Sequence, residues 1–96
     1  MILHHIEINR QGADVPTEER YQRVSTFTED QLGEAIDSAA RIGDAFCRMF
    51  NSLHRGLDEV DMDHASKRAF LLRTKSGRKI AYIHVVTERI TDLDVD

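Results

Sequence analysis

The sequence predicts an α+β domain in which one long amphipathic helix packs on a small antiparallel sheet with a C-terminal β-hairpin. Three observations carry this prediction. Apolar residues recur at helical spacing from Leu32 to Leu53. Two segments rich in Ile, Val, Phe and Tyr flank Lys75-Ser76-Gly77. Ile2, Ile6 and Ile8 fall on one side of a short opening strand. With 96 residues, one proline and no internal repeat, the chain is expected to form one domain.

The first strand is expected over 2–8. A loop or short turn follows over 9–27. In it Pro16 can open one helical turn at Thr17-Glu18-Glu19-Arg20, while Val24-Ser25-Thr26-Phe27 favours extended chain. The helix is expected over 28–55. Thr28 caps it, Gln31 completes a capping box three residues later, and Phe27 and Leu32 occupy the staple positions. Glu29, Asp30, Glu34 and Asp37 lie in the first turns and Arg48, His54 and Arg55 in the last, the order the helix dipole favours. Asp37/Arg41 and Asp44/Arg48 add pairs at i,i+4, and Gly56 is the expected stop.

Beyond Gly56 the apolar period drops to two. Val60 and Met62 alternate with Glu59, Asp61 and Asp63, which predicts an acidic connection or edge strand over 57–63. The hairpin follows with strands over 68–74 and 79–88. A type I turn with Gly77 in the left-handed bulge position would pair Leu72 with Ile80, Phe70 with Tyr82 and Ala69 with Ile83. Both faces of the second strand are apolar, so it is expected to be central, with the helix on one side. An acidic tail occupies 91–96.

A helix of this length would measure about 40 Å. A compact domain of this size has a diameter of about 32 Å. Either the helix breaks, with Gly43 the favoured place, or another copy of the chain covers the overhang. Ala35, Ala39, Gly43 and Cys47 bear on the choice because they form a smooth ridge of small residues every four positions. That ridge could seat a partner helix in a homodimer, or it could pack closely on the chain's own sheet.

Charge is unevenly placed. Lys67, Arg68, Arg73, Lys75, Arg78 and Lys79 make a +6 hairpin without an acid, leaving 7 bases and 17 acids elsewhere. The hairpin is a candidate docking surface for phosphate or an acidic partner. The acidic set, Asp58, Glu59, Asp61, Asp63, Asp92 and Asp94, is a candidate for a basic one. Catalytic and metal constellations are not expected. His4 and His5 point to opposite faces of a strand. Asp61-x-Asp63-His64 lacks a second half at fixed spacing, and Asp92-Leu93-Asp94-Val95-Asp96 stops short of a calcium loop's glycine and glutamate. His84 reads as a partly buried histidine satisfied by backbone or an acid, and Cys47 as a buried inert thiol.

One cysteine excludes an internal disulfide, and residues 1–7 lack the basic and long apolar regions of a signal peptide. A cytoplasmic setting without membrane contact is therefore expected. The functional expectation is a small non-enzymatic interaction protein without cofactor or metal. It would be a homodimer acting as an adaptor or inhibitor that binds another protein. The alternative is a nucleic-acid accessory protein using Lys67–Lys79 on phosphates.

Overall fold

The computed structural model describes residues 1–12, 15–53 and 58–90. The elements are β1 (Ile2–Arg10), β2 (Tyr21–Thr28), α1 (Leu32–Leu53), β3 (Val60–Ser66), β4 (Ala69–Thr74) and β5 (Lys79–Arg89). One turn of 3-10 helix, Thr17–Glu19, follows Pro16, and another, Glu29–Gln31, leads into α1. All five strands join one antiparallel sheet in the order β2-β1-β5-β4-β3. The chain is thus α+β, with α1 covering one face of the sheet. Among the described residues no helix is long and apolar enough to cross a membrane.

The helix starts as its sequence requires. Thr28 and Gln31 form the capping box, with the Thr28 N–H donating to Gln31 Oε1 at 3.1 Å. Helical structure continues through Gly43 without a break. The proposed end at His54, Arg55 and Gly56, and the tail over 91–96, lie outside the described residues. The ridge of Ala35, Ala39, Gly43 and Cys47 is buried in the chain itself. A β-carbon at Gly43 would meet Met62 Sδ, Ile83 Cδ1 and Leu72 Cδ1, side chains of three sheet strands. This corrects the assignment of these four residues to self-association: they seat α1 on its own sheet, where no partner can reach them.

Nor does the helix outrun its sheet. The 22 residues of α1 span about 33 Å, and the 11 residues of β5 span about 36 Å. The sheet is as long as the helix lying on it. It is this long because 9–27 is not simply a loop: β1 runs on to Arg10, and Tyr21–Thr28 is a strand pairing with it. Strand β2 is an edge whose alternation is weak, with only Ser25 and Phe27 half-buried.

The hairpin turn is as the sequence predicts, with Gly77 at φ +100° and its N–H donating to the Thr74 carbonyl at 2.9 Å. The register is not. Arg73 faces Lys79, but an extra residue on β5 then shifts the ladder, so that Leu72 faces Ala81, Phe70 faces Ile83 and Ala69 faces His84. The shift has a packing cause. It puts Phe70 and Leu72 on the same face as Ile83 and Ala81, and these four with Ile6, Val60 and Val85 build the core under α1.

Candidate functional site

No element among the described residues covers the second face of the sheet, and β1 places two ionisable side chains there. Glu7 is buried, its carboxylate accepting from Arg23 Nη2 at 2.8 Å on β2 and lying 3.6 Å from His84 Nε2 on β5. Burial alone would raise the Glu7 carboxyl. Hydrogen bonds from Tyr21 and Arg23, with the charges of Arg23 and His84, outweigh it and hold the group below its ordinary value. Two residues along β1, His5 is equally buried between Thr26 Oγ1 at 2.9 Å and Glu88 Oε2 at 2.8 Å. Arg23 Nη1 reaches Glu88 at 3.4 Å and so ties the two groups together. His84 thus finds an acid, as its sequence context suggests, and tilts against Tyr82 with ring centroids 5.0 Å apart.

His4 turns to the helix face, where Thr87 Oγ1 at 2.9 Å and the Glu29 carbonyl at 3.0 Å hold its ring against the start of the helix. Asp63 and His64 part company: Asp63 pairs with Arg73 at 2.6 Å, while His64 meets the edge of Phe70. Among the described residues no three His, Cys, Asp or Glu side chains converge as a metal site. The buried Cys47 thiol is pushed up, first by desolvation and then by the charges of Asp44 and Asp61.

The basic hairpin and the acidic connection, distinct in the sequence, meet in the fold. Lys75 pairs with Glu59 at 3.1 Å, and Arg73 with Asp63. Asp58 accepts from the Ser76 N–H at 3.1 Å and from its hydroxyl, contacts that hold the Asp58 carboxyl low. The remaining bases divide between the two ends of the hairpin. Lys67 and Arg68 sit at the β3–β4 turn, where Arg68 donates to Thr87 Oγ1 at 2.8 Å. Arg78 and Lys79 sit at the start of β5. Asp92 and Asp94 of the acidic set lie outside the described residues.

Arg78 and Lys79 line a concavity. A cavity of about 800 Å³ opens between the C-terminal half of α1 and the end of the sheet formed by β1 and β5. Phe46, Met49, Phe50 and Leu53 wall one side; Ile8 and Ile80 are across from them, and Arg10 joins Arg78 and Lys79 in the lining. The chain matches no protein-family model, no curated protein and no solved structure.

Sequence reasoning missed the Glu7 network and the cavity. Glu7, Arg23 and His84 come from three strands, and Arg10 approaches Lys79 only because β1 pairs with β5. The strand's own alternation gives no signal of the network: Glu7 is out of phase with Ile6 and Ile8 and reads as a solvent-facing acid, buried only once β2 and β5 flank it. The helical stripe was read correctly as apolar. That Met49 and Leu53, in its last two turns, stay exposed is a tertiary fact.

Proposed function

We propose that this chain is a small non-enzymatic interaction protein, a twofold homodimer that acts as an adaptor or inhibitor by binding another protein. The outer edge of β2 carries the reading. An edge strand presents unpaired backbone donors and acceptors, which soluble proteins usually protect with charge, proline or brevity. Strand β3, the opposite edge, has Asp61 and Asp63. Strand β2 has eight residues, no proline and a single charge, Arg23, already engaged by Glu7 and Glu88. Tyr21 and Val24 on this strand are large apolar side chains left exposed.

Two β2 strands related by a twofold axis near Ser25 would run antiparallel and join the sheets of both copies. With the axis at Ser25, Arg23 would face Phe27 rather than a second arginine. Such pairing is isologous and closed, which suits a stable dimer. The ion pairs on the uncovered face support a binding role over catalysis, because Glu7 and Glu88 are both engaged by Arg23 instead of being held ready for a substrate.

Light scattering on the eluting protein tests the proposal. Twice the chain mass is expected at micromolar concentration, with Val24→Lys reverting to monomer while its circular dichroism is unchanged. A wild-type monomer sinks the reading. A second reading, binding to nucleic-acid phosphates, rests on Lys67, Arg68 and Lys79, which pair with no carboxylate among the described residues. It predicts a mobility shift with mixed DNA and RNA at about 50 mM salt that fades as salt rises.

A further inference from the structure

The cavity under the end of α1 combines three features that point to one class of ligand. It is large enough, since pockets of roughly 300–1,000 Å³ suit small-molecule ligands, and this one is about 800 Å³. Its wall is one continuous helical stripe, Phe46, Met49, Phe50 and Leu53, at spacings that put all four on the same face. Yet Met49 is 55% exposed and Leu53 73%, although they continue the stripe that buries the rest of the helix. Among the described residues the charged side chains of the lining have one sign: Arg10, Arg78 and Lys79 contribute three cations, and no carboxylate is among them. Glu19 approaches Arg10 only to 3.7 Å, in a pair exposed on both sides, so that guanidinium is weakly held.

We propose that this cavity binds a free fatty acid of medium to long chain. Its hydrocarbon lies between α1 and the β1–β5 end of the sheet, and its carboxylate meets Arg10, Arg78 and Lys79. An apolar slot would suit any alkyl chain; the cations select an anionic head. The ligand covers Met49 and Leu53, completing the burial that the rest of the helix achieves against the sheet. This inference is independent of β2 and of the dimer proposed above.

The test is titration of the full chain with sodium laurate below its micellar concentration. It is followed by calorimetry and by the methyl NMR signals of the three methionines. Met49 lines the cavity, whereas Met62 is packed against Gly43 and serves as an internal reference. Saturable 1:1 binding is expected, with the Met49 methyl shifting and the Met62 methyl fixed. Affinity should rise by about fourfold per methylene from octanoate to laurate, as burial of each methylene implies. Dodecanol should bind at least tenfold more weakly, and the exposed double variant Arg78→Glu/Lys79→Glu should lose at least tenfold in laurate affinity with its thermal unfolding unchanged.

Four results would overturn the proposal. They are no saturable binding, equal affinity for octanoate and laurate, full affinity in the charge-reversed variant, or a Met49 signal that ignores laurate. Two others would replace it. A Met49 signal that moves with protein concentration alone means a second copy fills the cavity. Binding to phosphatidylglycerol vesicles without binding to laurate means a membrane surface is the target.

Discussion

Gly43 offers the sharpest test of how the helix is seated. Alanine at a mid-helix glycine should stabilise the protein by about 0.8–1.0 kcal/mol through backbone propensity. Here the added methyl would come within 2.6 Å of Met62 Sδ, while Ile83 Cδ1 and Leu72 Cδ1, at 3.5 Å, would be in ordinary contact. Met62 is a half-buried side chain on an edge strand and can turn aside, at an overpacking cost of about 1–3 kcal/mol. The net expectation for Gly43→Ala is a loss of about 0–2 kcal/mol. In a Met62→Ala background the clash disappears, and the same substitution should stabilise by about 1 kcal/mol. Urea unfolding followed by circular dichroism on the four proteins measures the coupling, which should be about 1–3 kcal/mol provided the m-values agree. Domains of this size have about 5–14 kcal/mol in hand, so the variants should remain folded. If Gly43→Ala stabilises both backgrounds equally, Gly43 is not where helix and sheet approach closely, and the account of the ridge is wrong.

Two further outcomes are expected. Asn51 clamps the end of α1 to β3, its amide accepting from the Val60 N–H at 2.8 Å and donating to the Val60 carbonyl at 3.1 Å. Val60 is fully buried, so Asn51→Ala should cost about 1–3 kcal/mol in urea unfolding, and a change within error would mean that water replaces the clamp. Because the Glu7 carboxyl is held below its ordinary value of 4.5, it contributes stability above that pH, and this is lost as pH falls through the lower folded value. Glu7→Gln should therefore flatten part of the acid limb of the Tm profile, with Asp30 and Asp58, also held low, retaining some slope. An unchanged limb would show that Glu7 is not ionised in the network.

Most elements were legible in the sequence, and the exceptions share a cause. The capping box at Thr28, the stripe of α1 and the turn at Gly77 depend on neighbours within a few residues, so the residues themselves disclose them. Strand β2 was only half visible because an edge strand buries little and alternates weakly. The expected hairpin pairs, Leu72 with Ile80, Phe70 with Tyr82 and Ala69 with Ile83, are each displaced by one residue, because the bulge answers the demand of the core for Phe70, Leu72, Ala81 and Ile83 on one face. Composition implied a basic hairpin set against an acidic remainder. The fold lays Glu59 and Asp63 on Lys75 and Arg73, leaving Lys67 and Arg68 at one end and Arg78 and Lys79 at the other.

By itself the sequence determined the α+β class, the single long helix and its start, and the hairpin with its glycine turn, since helical and strand periodicity are local consequences of backbone geometry. Only the tertiary structure decided which way the small-residue ridge faces, which strand is the bare edge, and that Arg10 joins Arg78 and Lys79 around one apolar cavity. Each of these depends on pairing between distant strands, and that pairing is set by how the whole core packs beneath the helix.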